Sequence, residues 1–341
     1  LRRNSERRKN TASRRKTTGT YLRLFMEIIT SLDAELKNKY PATVIALGTF
    51  DGLHLGHTDV INTAKDYAER SGLKLAVFTF SNHPLALIRP DLVPVRIISA
   101  EEKIKLLESF GVDYLINIPF TEDFAALSPD EFLDRLACFN YRCLVVGENF
   151  TYGFLGSGKT ETLERSGRKN GFDVIVRPLV KMNGNVVSST GIRNLIQAGH
   201  IEYANRMLGR AYAITGKIVH GEQRGRKLGF PTANIELLHG EMAVPEPGVY
   251  AVTVSIEGSI YEGMGNIGNN PTFNDVEHAR LEVNLFNCSG DLYGKTMSVQ
   301  FHKYIRAEKK FSGVEELCRQ IEEDKKAIKT YFLNKKQLPD T

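Results

Sequence analysis

The 341 residues are 42% apolar and 25% charged, contain no tryptophan, and suit two globular domains. The net charge of +5 is unevenly placed: residues 1–25 hold nine Arg and Lys against Glu6, whereas the rest carries 36 bases and 39 acids, so the folded part is not a basic nucleic-acid binder. No apolar run is long enough to span a bilayer, and four scattered cysteines, at 138, 143, 288 and 318, make neither a disulfide framework nor a metal site; a reducing, cytoplasmic compartment is expected.

Residues 1–25 show no hydrophobic period and read as a disordered basic extension. Three readings stand for it: an upstream extension before Met26, an Arg-rich transit peptide, or a nucleic-acid-binding arm. The first is preferred, and the tail is expected to be dispensable. From Met26 to Leu208 apolar runs alternate with helical patterns. Val44–Leu47, Leu73–Phe80, Tyr114–Ile118, Cys143–Val146 and Val174–Val176 read as strands. Helices are expected over 57–70, from a Ser99–Glu102 capping box to Phe110, after a second box at Ser128–Glu131 with Pro129 in the first turn, and over 197–208. Such β–α alternation predicts an α/β domain with a doubly wound parallel sheet, whose ligands bind at the carboxyl ends of the strands.

The first of these strands delivers Gly48-Thr49-Phe50-Asp51-Gly52-Leu53-His54-Leu55-Gly56-His57 to that edge. The spacing places both His on one face of the first helical turn, beside free backbone N–H groups that favour anions. Gly48, Gly52 and Gly56 leave the backbone open to a phosphate. Two imidazole donors at a helix N-terminus suit attack on the α-phosphate of a nucleotide, where charge builds on phosphoryl oxygens. A zinc site is a poorer reading, because no third ligand lies nearby. The plain alternative is a tight turn with two solvent-facing His.

Phe80-Ser-Asn-His83-Pro84 follows the next strand and reads equally as turn chemistry or as a site. Gly147-Glu-Asn149-Phe-Thr-Tyr152-Gly153 follows a later one. Gly153–Thr160 then matches the Walker A pattern in full, although six residues separate it from Val146 and no Walker B strand follows. The preferred reading is a mobile Gly-rich loop near a triphosphate, with Lys159 helping. In Ser188-Ser189-Thr190-Gly191-Ile192-Arg193, hydroxyls and an Arg at a helix start make a second phosphate clamp, or else a simple N-cap.

After Leu208 the pattern changes. Tyr212–His220, Gly248–Ile256, Ser259–Gly265, Ala279–Phe286 and Lys295–His302 read as short strands of an antiparallel barrel, closed by an amphipathic helix from a Ser312–Glu315 cap. A basic Gly-rich loop, Gly221–Gly229, leads into Phe230-Pro231-Thr232-Ala233-Asn234. Thr232 and Asn234 fall on one side of an extended segment and could share magnesium with ATP phosphates. Gly265–Phe273 reads as a loop. Alternation puts Glu282 and Asn284 on one face of their strand and Leu281, Val283 and Leu285 on the other; Glu282 on the inner edge could act as a base, or simply face water.

G-x-F-D-G-x-H-x-G-H, S-S-T-x-I-R and the Gly-rich loop before P-T-A-N together resemble the bacterial bifunctional riboflavin kinase/FAD synthetase family, from about Met26 to Leu333. The resemblance implies a nucleotidylyltransferase-like module at 26–208 and a riboflavin kinase barrel at 209–335. It implies phosphorylation of riboflavin to FMN by MgATP, then adenylylation of FMN to FAD with release of pyrophosphate. By resemblance, His54 and His57 are catalytic in adenylylation, and Gly48, Phe50, Gly56, Asn149, Ser189, Thr190 and Arg193 bind ATP. The 80–84 loop and the 265–273 loop would lie near flavin. Glu282 would be the kinase base, Gly225, Arg226, Gly229, Thr232 and Asn234 would bind ATP, and Thr232 with Asn234 would hold Mg2+. Relatives often carry a larger or basic residue at Gly191 and His at Asn284; the first departure is expected to weaken adenylyl transfer, the second to matter little. The partners implied are the small molecules riboflavin, FMN and ATP, with no nucleic acid or membrane. Two other classes stay open: a P-loop NTPase built on Gly153–Thr160, and a nucleic-acid binder using the tail.

Overall fold

The computed structural model describes residues 26–32, 39–220, 229–237, 242–269, 279–288 and 290–337. The basic extension, the loop holding Gly225 and Arg226, and residues 270–278 lie outside the described residues.

Six strands form one sheet: β1 (Glu27–Ile29), β2 (Thr43–Leu47), β3 (Lys74–Phe80), β4 (Tyr114–Ile118), β5 (Tyr141–Gly147) and β6 (Asp173–Arg177). Their order is β1-β4-β3-β2-β5-β6 and every pairing is parallel. All five residues of β2 are buried: the apolar run Val44–Leu47 is covered on both faces, and the Thr43 hydroxyl donates to Phe139 O (2.8 Å). The chain winds outward from β2 through β3 to β4, then crosses to β5 and β6. The winding direction therefore reverses beside β2, and this reversal creates the crevice in which such sheets bind ligands. β1 escapes the pattern reading because it is three residues of edge strand.

The helices of this module are α1 (Leu55–Ser71), α2 (Leu85–Ile88), α3 (Ala100–Ser109), α4 (Glu122–Ala125), α5 (Pro129–Leu136), α6 (Thr160–Asn170), α7 (Ser189–Gln197) and α8 (Ile201–Leu208). α1 buries Val60, Ile61, Ala64 and Ala68, one helical stripe, and stops at Gly72 in the left-handed region. At α5 both halves of the capping box form; at α3 only the Ser99 side chain accepts, from the Glu102 N–H. The helix expected over 197–208 starts only at Ile201: Gln197 is the last residue of α7, and Gly199 at φ +74° separates α7 from α8. A short hairpin, β7 (Lys181–Met182) and β8 (Asn185–Val186), precedes α7.

The second module is a closed antiparallel barrel of β9 (Tyr212–Val219), β10 (Ala233–Leu237), β11 (Gly248–Ile256), β12 (Ser259–Asn269), β13 (Ala279–Leu285) and β14 (Thr296–Arg306). Ile214, Val252, Val254, Val283, Val299 and Phe301 fill its interior. The same cluster continues into Ile192 and Ile196 of α7 and Ile201 and Leu208 of α8, so packing runs unbroken between the modules. α9 (Val314–Gln337) lies on the outside of the barrel, with Ile328 and Phe332 against Val249, Ala251 and Phe286. Each of those two α9 side chains contributes roughly 1.5–3 kcal/mol by burial. Ser312 donates its N–H and hydroxyl to Glu316 (3.0 and 2.7 Å), not to the expected Glu315.

Candidate active site

The turn after β2 is strained. Phe50 (φ 49°) and Leu53 (φ 43°) sit in the left-handed region with Gly52 (φ 80°) between them. For the two residues with side chains this costs roughly 1–3 kcal/mol each and persists only where the surroundings enforce it. Here Phe50 and Leu53 are buried, and three cations grip the turn, two at its backbone and one at the Asp51 side chain. Lys103 Nζ donates to Thr49 O (3.1 Å). Arg193 Nη2 donates to Asp51 Oδ2 (2.7 Å), while Ser189 Oγ donates to Asp51 O (2.9 Å). Arg210 donates from Nη2 to Gly52 O (2.8 Å) and from Nη1 to Leu53 O (3.1 Å).

His54 is the N-cap of α1 rather than part of its first turn. Its Nδ1 accepts from the His57 N–H at 3.3 Å. The ring proton of neutral His54 is thereby assigned to Nε2, which is left as a donor. The two imidazoles stack, with centroids 3.6 Å apart and planes 15° off parallel. Gly56 makes room for this, since a Cβ there would lie 3.2 Å from His54 Cε1. Burial lowers His54 to about 4, and burial, with the neighbouring His54 and Lys103, holds His57 well below its ordinary value. Both rings are neutral near pH 7. His57 Nδ1 is buried without a hydrogen-bond partner, a group that a ligand in the crevice would satisfy.

Both rings line a cavity of about 910 Å³ at the point where the sheet reverses. Gly48, Phe50, Gly56, Asn149 and Ser189 share the polar end of its wall. Phe78, Phe80, Phe124, Phe132 and Tyr152 form an aromatic end, the phenylalanines meeting mostly edge to face. A phosphate chain suits the first end and a flat ring the second. Thr190, which is exposed, and Arg193, which is buried, are not among the residues that line the cavity. Arg193, expected as a phosphate clamp, is instead held by Asp51 and by Val95 O (Nε, 2.7 Å). His83 and Pro84 border a smaller pocket with Arg96 and Lys103, and Pro84 also reaches the main cavity.

The Walker-like segment does not form a phosphate nest. Five of its eight backbone N–H groups bond within the protein: Phe154 to Leu127 O (2.6 Å), Gly156 to Gly153 O (2.9 Å), Ser157 to Phe154 O (3.0 Å), Gly158 to Tyr152 O (2.9 Å), and Lys159 to Thr162 Oγ1 (2.8 Å). A P-loop needs those donors pointing at the ligand. Gly153, Phe154 and Leu155 instead line the cavity that holds His54 and His57.

On the barrel, Asn234 pairs directly opposite Glu282 across β10 and β13, and Glu282 pairs opposite Asn266 across β13 and β12. Residues opposite one another share a face. This is the outer face: Ala233, Ile235, Leu281 and Val283 point into the barrel core, so Thr232, Asn234 and Glu282 project away from it. Glu282 therefore sits outside the barrel, not on the inner edge expected. Residues 265–269 continue strand β12 rather than forming a loop. Asn284 Nδ2 donates to Pro231 O (2.7 Å), fixing the segment that carries Thr232. Gly229 has φ +83°, a conformation that favours Gly. Among the described residues no cluster of three His, Cys, Asp or Glu could hold a metal.

Comparison with known proteins divides the chain in the same way. Residues 36–191 match the FAD synthetase family and residues 208–332 the riboflavin kinase family. The bifunctional riboflavin kinase/FMN adenylyltransferase of Bacillus subtilis (strain 168) is 41% identical over 303 residues, covering 88% of this chain and 95% of the relative. That of Escherichia coli (strain K12) is 34% identical over 292 residues, covering 85% and 92%. This chain belongs to the bifunctional riboflavin kinase/FMN adenylyltransferase family. A solved structure described as a macrolide-efflux protein from Streptococcus pneumoniae shares the fold, with a TM-score of 0.82 and 33% identity over 89% of this chain and 99% of that one. No helix among the described residues here is long and apolar enough to cross a membrane. Within the riboflavin kinase/FMN adenylyltransferase frame, the His54 cavity lies in the FAD synthetase stretch and the Asn234–Glu282 pair in the riboflavin kinase stretch. Asp51, Lys103 and Arg210 are residues that sequence reasoning did not assign to the site. Their partners lie up to 158 positions away, and no local pattern encodes such a contact.

Proposed function

We propose that the barrel phosphorylates riboflavin with ATP and that the α/β module transfers AMP from a second ATP to the FMN formed, at two separate sites. The observation that carries this reading is the assembly of both residue sets in different places: two neutral, stacked imidazoles in the crevice of the sheet, and Asn234, Glu282 and Asn266 in register on the barrel.

In the kinase reaction Glu282 takes the proton from the primary hydroxyl of riboflavin as that oxygen attacks the γ-phosphorus of ATP and ADP departs. Thr232 and Asn234 would hold magnesium, which neutralises phosphate charge when bound. Gly225, Arg226 and Gly229 belong to the loop that would cover the ATP phosphates. In the adenylyl transfer an FMN phosphate oxygen attacks the α-phosphorus of ATP and the bond to pyrophosphate breaks. The His54 Nε2–H and the His57 ring stabilise the charge on the α-phosphoryl oxygens. Asn149, Ser189 and Thr190 place ATP, Gly48, Phe50 and Gly56 shape its cradle, and Arg193 fixes Asp51 and the turn. The aromatic end of the cavity takes the flavin ring. We place the modules at 26–208 and 209–335, and the protein in the cytoplasm with small molecules as its partners.

The test is chromatography of flavins after incubation with riboflavin, ATP and magnesium. FMN followed by FAD is the expected result. FMN alone would overturn the adenylyl assignment, and no conversion would overturn both.

A further inference from the structure

The geometry points to Arg210, carried by the barrel, as a positioning residue for His54 in the adenylyl site, so that the kinase module completes the other module's catalytic turn. This inference rests on the adenylyl reading above.

Arg210 lies within the stretch matched to riboflavin kinase. It stands between Gly209, which ends α8 at φ 71°, and Tyr212, the first residue of β9. Its guanidinium nevertheless reaches into the strained turn of the FAD synthetase stretch and donates to Gly52 O and Leu53 O. The position of the second acceptor matters most. The Leu53 carbonyl belongs to the planar peptide unit that also contains the His54 nitrogen and Cα. Holding that oxygen fixes the plane from which the His54 side chain departs. The first acceptor fixes the preceding plane, and Leu53 between them is at φ 43°. Two donors of one rigid fork thus set a conformation that Leu53 would not adopt by itself.

The arm that carries Arg210 is itself anchored on both sides. The Tyr212 N–H donates to Asn205 Oδ1 (2.7 Å), and the Tyr212 hydroxyl donates to Ala243 O within the barrel stretch. Gly209 packs so closely on α1 that a Cβ there would come within 2.8 Å of Leu55 Cδ2, the residue after His54. A second strap runs in parallel: the Ala243 N–H donates to Arg96 O (2.8 Å), next to Val95, whose carbonyl holds Arg193. The barrel therefore touches the turn directly through Arg210 and indirectly through Arg193 and Asp51.

The experiment replaces Arg210 in the full chain by Met and, separately, by Lys, and follows both activities together with the ring resonances of His54 by NMR. For Arg210→Met, kcat for FMN adenylylation should fall about 10–100-fold, the loss that follows from a catalytic group displaced by a fraction of an ångström to an ångström. KM for FMN and ATP should stay within about twofold, riboflavin phosphorylation should be unchanged, and the His54 resonances should move. Arg210→Lys, which keeps the charge but not the fork, should recover part of the rate. An unmoved His54 resonance in Arg210→Met would overturn the inference, as would an equal fall of both activities in both variants. If the parent chain makes no FAD, the adenylyl reading fails on its own, and the His54 resonance still decides whether Arg210 positions that ring.

Discussion

The two sites of this chain hold their reacting groups by opposite means. The barrel presents Glu282 from the middle of a regular strand, flanked in register by Asn234 and Asn266, so neighbouring ladders set its place. The sheet module presents His54 from a turn with two non-glycine residues at positive φ, gripped by Lys103, Arg193 and Arg210 from three distant parts of the chain. A site built on a ladder is robust to change elsewhere. A site built on enforced strain is sensitive to each residue that enforces it, even one that never touches the substrate.

The largest expected effects separate the two chemistries. Glu282→Gln should lower riboflavin phosphorylation about 10²–10⁴-fold, the usual contribution of a positioned base, and leave FMN adenylylation intact. His54→Ala should lower FMN adenylylation by about 10²–10³, the cost of losing one donor to a developing oxyanion, and leave the kinase intact. Parallel assays on each purified variant check both. Loss of both activities from either change in a folded protein would collapse the comparison into a single shared site.

Next comes a difference in stability. Asp51 and Arg193 are only 18% and 10% exposed at the side chain, so Asp51→Ala leaves a largely buried guanidinium without its partner, at a cost of about 3–5 kcal/mol. Lys336 and Glu262, on the outside of the barrel, are 69% and 30% exposed, and Lys336→Ala should cost no more than about 1 kcal/mol. Urea unfolding of the two variants measures the contrast. Equal midpoints would mean that the turn is not held under strain.

A pH profile sharpens the comparison further. Burial lowers the Lys103 ammonium from its ordinary value to about 8. Above that pH the group loses its charge, and its hydrogen bond to Thr49 O weakens. FMN adenylylation should decline a few-fold between about pH 8 and 9, while riboflavin phosphorylation shows no such limb. Stability runs the other way. With the folded pKa below the unfolded one, the unfolded chain binds more protons between about pH 8 and 10.5, so this group's contribution rises with pH across that window. In Lys103→Arg the charge persists, and the alkaline decline of adenylylation should disappear.

Much of this was legible in the sequence because the signals are local. Alternating apolar runs marked β2 to β6, the period-2 pattern of Leu281 to Leu285 assigned the two faces of β13, and the H-x-x-H spacing located the crevice. The misreadings came where longer-range structure decides. Alternation separates the faces of β13 but does not say which one turns into the barrel, so Glu282 was placed on the wrong side. The Walker pattern fixes residue types but not the local turns and the Tyr152–Gly158 bridge that take up most of its donors. Arg193 was legible as a cation near a helix start, but its partner is Asp51, 142 positions away.

The smallest effect concerns that same helix start. Gly191 is the third residue of α7, its N–H accepted by Ser188 Oγ at 3.2 Å. A helical Gly costs roughly 0.5–1 kcal/mol relative to Ala. A Cβ at this position would meet only Ser188 Oγ, at 3.3 Å, so the cap must give by a few tenths of an ångström. Gly191→Ala should therefore raise the melting temperature by about 1–3 °C. Because the Asp51 contacts of Ser189 and Arg193 are untouched, FMN adenylylation should stay within about twofold of the parent, by flavin chromatography. A lowered melting temperature would mean that the Ser188 cap contributes more than the helix gains. A large rise in adenylylation instead would mean that Gly191 limits the site through helix order, which would add α7 to the elements that enforce the turn.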